Sequence, residues 1–375
     1  MTVPPVFLLM AVIGIVAVLY PVYSAWPALL PIICEISLVA MLVRLIRLAR
    51  GADAPAGTRG RGRIAETSID FDTLRETNLA PYAGWLKENV CGHDAVVERV
   101  VNKVQQGLQT AAPNQVIGAF LLVGPTGTGK TFLAELMAKA LYQNSEPVLL
   151  RMNQYKDHQD VFTLIGPPPG YQGYEIGGSL TRPVLENPYR VIILDEFDKA
   201  HLDIQHCFYD ILDRGQCQEK SSGKMVHFGA SVFFATCNTG VAALRTVWAE
   251  TADPVVRTGR AREALAREGF ERPLLARFSD ILLMDQLKPV QVAEVACLQI
   301  AKHWRQYGIE VVYASPEVLV EAVKRNVEFQ DYGVRQLAHL IQELTAPSIE
   351  AARRDGVTRV RLELDEHTGR VKVSR

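Results

Sequence analysis

Residues 119–131 read AFLLVGPTGTGKT, and this stretch decides the fold class. A short apolar run typical of a buried strand leads directly into a glycine-rich loop, and an apolar helical pattern begins at its end. Glycines let backbone N–H groups surround phosphate oxygens at the positive N-terminus of a helix. The order strand, loop, helix therefore predicts an α/β fold with a P-loop that binds a nucleotide.

The loop residues have different expected contacts with the nucleotide. Lys130 is expected to neutralise charge on the β- and γ-phosphates, and the hydroxyl of Thr131 is expected to bind Mg²⁺. ATP and Mg²⁺ are therefore the predicted cofactors. The residues expected to bind the nucleotide in this loop are Gly124, Pro125, Thr126, Gly127, Thr128, Gly129, Lys130 and Thr131.

A second apolar run, residues 191–194 (VIIL), ends in two adjacent carboxylates. Asp195 is expected to hold Mg²⁺ through water, and Glu196 to orient and polarise the water that attacks the phosphate. Acidic residues at the end of a strand are common, so the pattern is informative because a P-loop precedes it. The two motifs together predict Mg²⁺-dependent ATP hydrolysis, with Thr131 and Asp195 as the metal site.

The composition excludes several other classes of protein. The chain has 375 residues, with 40 Lys and Arg against 41 Asp and Glu, which argues against a dedicated nucleic-acid binder. Its six cysteines form no C-x-x-C pair, so neither a zinc ribbon nor a dithiol redox motif is indicated. No H-E-x-x-H occurs, which excludes a built-in zinc protease of that type.

The N-terminus differs from the rest of the chain. No Asp, Glu, Lys or Arg occurs from Thr2 to Cys34, and residues 3–43 are mostly apolar, whereas one membrane crossing needs about 20 residues. Because Pro and Trp cluster near the middle, we predict a transmembrane helical hairpin over residues 4–21 and 27–46. One long tilted span is the alternative. A secretory signal peptide is disfavoured because no positive charge precedes the apolar run.

Three arginines, Arg44, Arg47 and Arg50, follow the apolar stretch. The positive-inside rule places that end, and everything after it, in the cytoplasm. The predicted location is therefore the inner (cytoplasmic) membrane, with more than one pass and the ATPase domain in the cytoplasm. Glu35 within the second span is costly there unless it is paired or lies near the interface.

Further motifs along the chain point to a known family. In chain order they are LKENVCGHD (86–94), LIGPPPGYQGYE (164–175), LDEFDKAH (194–201), ATCN (235–238), FERPLLAR (270–277) and YGVR (332–335). Together with the P-loop, they resemble the C-terminal AAA+ module of the Clp family of ATP-driven protein unfoldases. The resemblance covers the sequence from about residue 85 onward.

The resemblance implies a fold and a division into domains. The expected fold is that of an AAA+ P-loop NTPase, an αβα sandwich on a parallel sheet, followed by a small α+β lid domain. The expected segments are a hairpin anchor (1–50), a flexible basic linker (51–69), a large nucleotide-binding domain (70–285) and the lid (286–375).

The resemblance also implies roles for residues outside the P-loop. Asn238 would hydrogen-bond toward the hydrolytic water, Arg277 would act as an arginine finger from a neighbouring subunit, and Arg335 would lean over the γ-phosphate. With Glu196 they form the expected catalytic set. For either arginine, a surface or linker salt bridge is the alternative. The residues that resemble the family's adenine-packing segment are Val90, Cys91 and Gly92.

Gly170, Tyr171, Gln172 and Gly173 resemble the family's substrate-gripping pore loop. Flanking glycines make a loop mobile, and an aromatic side chain at its tip offers contact area without sequence selectivity. The alternative is a surface tyrosine in a Pro/Gly turn. Gln172 replaces the aliphatic residue usual in this family, and residues 220–224 (KSSGK) are a candidate second loop.

These observations predict a membrane-anchored, Clp-type ATPase that threads or remodels polypeptides through a homo-hexameric pore. Protein substrates and the membrane are the expected partners, and no nucleic acid is expected. No Ile-Gly-Phe or Ile-Gly-Leu tripeptide lies between Gly240 and Phe270, so we do not expect the Clp peptidase as a partner. The alternatives are a motor for DNA handling or for assembly of a secretion or conjugation apparatus, and a nucleotide-dependent scaffold.

Overall fold

The computed structural model describes most of the chain from residue 75 onward. The residues it describes are 75–374 without 111, 113–114, 143–144, 172–173, 328–333 and 366–369. The predicted hairpin and linker therefore lie outside the described residues. Within the described part, no helix is both long enough and apolar enough to cross a membrane. The chain divides into two compact units between residues 286 and 287.

The large unit is built on a parallel sheet. The strands of this unit are β1 (Gly118–Val123), β2 (Val148–Arg151), β3 (Val191–Asp195), β4 (Gln216–Gln218), β5 (Met225–His227), β6 (Val232–Cys237) and β7 (Asp280–Leu283). Five of them form one sheet in the order β2-β3-β6-β1-β7, with every pair parallel. β4 and β5 form a separate antiparallel hairpin. The predicted parallel α/β fold is confirmed.

Helices connect these strands and cover both faces of the sheet. They are α1 (Ala80–Asn89), α2 (Asp94–Thr110), α3 (Lys130–Leu141), α4 (Val161–Ile165), α5 (Thr181–Glu186), α6 (Leu202–Arg214), α7 (Val241–Glu250), α8 (Pro254–Arg267) and α9 (Arg272–Arg277). Short 3₁₀ turns lie at 152–154, 158–160, 174–176 and 197–199.

The sheet separates two hydrophobic cores, because successive side chains of a strand point to opposite faces. Leu121 and Phe233 belong to one core, which also takes in the apolar side of α6. Phe120 and Phe234 belong to the other, where their rings stack with centroids 5.2 Å apart and where α2 and α3 pack. β1 and β6 are buried along their whole length. This explains why they read as continuous apolar runs rather than alternating ones.

The small unit contains three helices and a three-stranded sheet among its described residues. The elements are α10 (Pro289–Arg305), β8 (Glu310–Ala314), α11 (Pro316–Val327), α12 (Arg335–Arg354), β9 (Arg359–Asp365) and β10 (Arg370–Ser374). β9 lies in the middle, parallel to β8 and antiparallel to β10. Trp304, which is fully buried, and the apolar sides of the helices form a core of their own.

One buried carboxylate ties three elements of the large unit together. Asp280, at the start of β7, is 1% exposed. It accepts a hydrogen bond from Arg99 Nε on α2 at 2.5 Å and another from Thr258 Oγ1 on α8 at 2.7 Å. Removing one partner of a buried ion pair costs more than the pair itself contributes, since the other charge is left without compensation.

We therefore expect Asp280→Ala to lower the free energy of unfolding by about 3 kcal/mol. Urea unfolding of the full chain, followed by tryptophan fluorescence, measures this. Glu186→Ala is the matched control, because Glu186 pairs with Arg182 on the surface of α5 and exposed pairs contribute at most about 1 kcal/mol. Equal losses in the two variants would show that the Asp280 pair does not hold the unit together.

Candidate nucleotide site

The sheet topology brings the predicted site residues to one edge. β1 and β6 pair in parallel up to Val123 and Cys237, and β3 pairs with β6 up to Leu194 and Ala235. The residues that follow these strands therefore lie side by side at their carboxyl ends, which is where open α/β sheets bind ligands. The P-loop, Glu196 and Asn238 follow these three strands, and Asp195 is the last residue of β3.

The first glycine of the loop is required by a close backbone approach. Gly124 N–H donates to the carbonyl oxygen of Cys237 at 3.1 Å. A Cβ atom at position 124 would lie 2.0 Å from the backbone oxygen of Met284, so any other residue would displace the loop. Gly127 and Gly129 have φ values of 79° and 91°, which favour glycine. The loop thus reaches the N-terminus of α3 in a fixed path.

The ammonium group of Lys130 lies inside this loop. Its Nζ donates to the carbonyl oxygens of Gly124 at 2.7 Å and Pro125 at 2.8 Å, and to Asn238 Oδ1 at 2.9 Å. Lys130 is buried, so its charge is held at the loop rather than in solvent. The P-loop lysine and the predicted Asn238 are therefore in direct contact.

Thr131 and Asp195, the predicted metal pair, are also in contact. Thr131 Oγ1 donates to Asp195 Oδ1 at 2.8 Å, and Thr236 Oγ1 donates to the same carboxylate oxygen at 2.8 Å. A hydroxyl and a carboxylate beside a phosphate loop are the oxygen ligands that Mg²⁺ takes when it also binds nucleotide phosphates. The donor set therefore fits Mg²⁺.

Glu196 leaves the strand in an unusual conformation. Among the described residues it is the only non-glycine with a positive φ, at 57°, which costs about 1 kcal/mol. Its Oε2 accepts from Asn153 Nδ2 at 2.9 Å, and its Oε1 lies 3.1 Å from Lys199 Nζ. Strained backbone of this kind persists where the surroundings fix a side chain for function.

Sequence reasoning missed two residues that organise these carboxylates. Thr236 accepts a hydrogen bond from the Glu196 backbone N–H at 3.0 Å while it donates to Asp195. The sequence feature that could have indicated Thr236 is its hydroxyl, which lies near the end of an otherwise apolar strand. Asn153 carried no signal, because it reaches Glu196 only through the pairing of β2 with β3. Asp198 Oδ2 similarly accepts from Thr239 Oγ1 at 2.6 Å, next to Asn238.

The predicted adenine segment lies beside the P-loop. Val90 and Cys91 are buried, and Gly92 has a φ of 80°. His93, the next residue, is 7% exposed, and within the described part of the chain its Nε2 has no hydrogen-bond partner. Burial lowers the pKa of His93, and a hydrogen bond with the backbone of Thr128 partly offsets this effect. The ring is therefore neutral at pH 7 and links this segment to the loop.

The remaining predicted residues lie elsewhere in the chain. Arg277, the last residue of α9, contacts Asp213 on α6 within its own unit. Arg335 begins α12 in the small unit, and its side chain lies outside the described part. Tyr171 is 59% exposed, Gly170 has a φ of 96°, and Gln172 and Gly173 are not among the described residues.

We expect Thr236→Val to reduce kcat for ATP by about tenfold, since it removes a buried hydrogen bond that orients Asp195, the predicted metal ligand. Nucleotide affinity, measured by titration with a fluorescent ATP analogue, should change little because the P-loop is intact. Thr246→Val on α7 is the control, because its hydroxyl bonds only to the carbonyl of Ala242 on an exposed helix face. A Thr236→Val enzyme with unchanged kcat would contradict this role.

Comparison with known proteins gives consistent results. Residues 115–281 match the family described as "AAA domain (Cdc48 subfamily)". The chain is 34% identical to the ATP-dependent Clp protease ATP-binding subunit ClpE of Lactococcus lactis over 288 residues, which are 75% of this chain and 38% of that protein. It is 32% identical to ClpE of Bacillus subtilis, over 72% of this chain and 39% of the relative.

A chaperone gives a similar match. The identity to "Chaperone protein ClpB 1" of Synechocystis is 34% over 243 residues, which are 63% of this chain and 27% of that protein. The chain thus matches well under half of the length of each of these relatives.

Proposed function

We propose that this chain threads or remodels polypeptides through a hexameric pore at a membrane. It is an AAA+ ATPase with Clp-type relatives, and its hydrolysis of ATP would drive this work. The observation that carries the proposal is the exposed Tyr171, which follows Gly170 with its positive φ. The loop lies in the chain between the P-loop helix and the strand that ends at Asp195. The loop is the whole segment between α4 and α5, residues 166–180. Its side chains Tyr174 and Ile176 are exposed as well.

A line of direct contacts connects the nucleotide site to this loop. Glu196 bonds to Asn153, and two residues later the Tyr155 carbonyl oxygen accepts from the backbone N–H of His201 at 2.9 Å. The Tyr155 hydroxyl lies 3.0 Å from Ser179 Oγ, at the C-terminal base of the loop. These bonded groups are the route by which we propose that a change at Glu196 reaches the loop.

The site supports hydrolysis in the following way. Thr131 and Asp195 would hold Mg²⁺, and the charge that the ion would neutralise is that of the nucleotide phosphates. Glu196 orients the attacking water as general base, and Asn238, held against the Lys130 ammonium, hydrogen-bonds toward that water.

Two arginines complete the proposed site. Arg277 from a neighbouring subunit and Arg335 from the small unit supply positive charge to the transferring phosphoryl group. Val90, Cys91 and Gly92 contact the adenine. Because Arg277 would act on a neighbour, turnover requires a ring, for which we propose six copies.

The apolar N-terminus would attach the proposed ring to the membrane. Residues 1–50 would anchor each subunit in the cytoplasmic membrane as a helical hairpin, and the basic linker would lie against anionic lipid. Protein segments near the membrane are then the substrates, and neither nucleic acid nor the Clp peptidase is a partner in this account.

We expect Tyr171→Ala to keep ATP turnover within about twofold while unfolding of a fluorescent client with an unstructured tag slows at least about tenfold, because grip is lost without the aromatic contact. Glu196→Gln should show neither activity. Tyr307→Ala, at another exposed tyrosine, is the matched control. Client unfolding by Tyr171→Ala at the wild-type rate would refute the pore-loop role. DNA-stimulated turnover that survives the substitution would favour a DNA motor.

The membrane anchor has a separate test. We expect the full chain to stay with membranes after extraction at alkaline pH, whereas a chain that begins at residue 51 should be released into the supernatant. Two membrane spans are held by burial of apolar surface, which alkaline pH does not reverse. A chain without them would be held only by its basic residues, and that electrostatic attachment is lost on extraction. Complete release of the full chain would show that the apolar stretch does not insert.

A further inference from the structure

We infer that Asp213 is a positioning residue for Arg277, fixing the guanidinium in the direction that it needs to reach the nucleotide of a neighbouring subunit. The inference rests on the proposed role of Arg277 in the neighbour's site. It concerns a carboxylate on α6, outside every motif that the sequence singles out.

Arg277 is held on three of its nitrogen atoms. Nη2 donates to Asp213 Oδ2 at 2.5 Å, Nη1 donates to the Pro273 carbonyl oxygen at 2.7 Å, and Nε donates to the Tyr209 carbonyl oxygen at 3.3 Å. The guanidinium carbon also lies 4.6 Å from the centre of the Tyr209 ring. A guanidinium has five N–H donors, so two of them remain for a ligand.

The aromatic platform under Arg277 is itself held from its other end. The Tyr209 hydroxyl donates to Glu271 Oε2, and His206 Nε2 lies 2.8 Å from the same oxygen. Burial, together with the bond to Glu271, raises the pKa of Tyr209 to about 12. The bonds from Tyr209 and His206 lower the pKa of Glu271. At neutral pH the tyrosine is therefore a protonated donor to an ionised carboxylate.

This arrangement contributes more to geometry than to stability. The side chain of Asp213 is 51% exposed, and ion pairs in such positions contribute little to folding because solvent screens them. A free arginine side chain has many rotamers, and bonds to its three nitrogen atoms restrict that freedom before a phosphate arrives. Preorganised positive charge stabilises a transition state without reorganisation during the reaction.

The alternative is an ordinary salt bridge between α6 and α9. A salt bridge and a positioning residue require different side chains at position 213. A salt bridge requires a negative charge, whereas a positioning residue requires an acceptor oxygen at the length of an aspartate side chain. Asparagine keeps the length and loses the charge, and glutamate keeps the charge and adds a methylene group.

The test is steady-state ATP turnover by the full chain in lipid nanodiscs, with kcat and KM measured separately for Asp213→Ala, Asp213→Glu and Asp213→Asn. We expect kcat to fall about tenfold in Asp213→Ala and several-fold in Asp213→Glu, with KM within about twofold, because a displaced guanidinium weakens only the transition state. Asp213→Asn should retain most of the wild-type kcat. Asp210→Ala is the matched control, since Asp210 lies one turn of α6 away, is 75% exposed, and lies 4.0 Å from Arg214.

Several outcomes would overturn the inference. One is a kcat within about twofold of wild type in both Asp213→Ala and Asp213→Glu, and another is a kcat for Asp213→Asn as low as that for Asp213→Ala. Arg277→Ala separates this failure from that of the proposed function. If Arg277→Ala abolishes turnover while Asp213→Ala and Asp213→Glu keep kcat within about twofold of wild type, only the inference fails. If Arg277→Ala turns over normally, the role of Arg277 in the neighbour's site fails, and the inference fails with it.

Discussion

The nucleotide site depends on one carboxylate oxygen, Oδ1 of Asp195. It accepts hydrogen bonds from Thr131 at the start of α3 and from Thr236 at the end of β6. Thr236 in turn holds the backbone of Glu196. The P-loop helix, the acidic strand and the central strand are thus fixed to one another at the point where a metal ion and the terminal phosphate would lie. A displacement of any one of them would move Glu196, the proposed general base.

The proposed coupling of hydrolysis to movement rests on a series of contacts that begins at Glu196. Glu196 accepts a hydrogen bond from Asn153. Two residues later, Tyr155 bonds to the backbone of His201, which precedes α6, and to Ser179, which precedes α5. Elsewhere in the large unit, α6 holds the guanidinium of Arg277 through Tyr209 and Asp213. In the proposed ring, the loop that carries Tyr171 would act on a polypeptide, and Arg277 would act on the nucleotide of the neighbouring subunit.

The sequence was sufficient for what depends on local order along the chain. The P-loop and the acidic strand could be predicted because strand, loop and helix follow one another within a few residues. Asn153 could not be predicted, because only the pairing of β2 with β3 brings it to Glu196. The contact between Asp213 and Arg277 joins residues 64 apart on two helices, and no spacing rule indicates it. The hairpin at residues 1–50 stays a prediction.

The central claim is that ATP hydrolysis at this site drives polypeptide through a ring at a membrane. Electron cryo-microscopy of the full-length Glu196→Gln protein in lipid nanodiscs, with ATP and a tagged client, tests it most directly. The account predicts a six-membered ring whose Tyr171 side chains line a central channel occupied by extended polypeptide, with Arg277 at the neighbour's γ-phosphate. An assembly with Tyr171 on its outer surface, or with Arg277 far from every nucleotide, would contradict it.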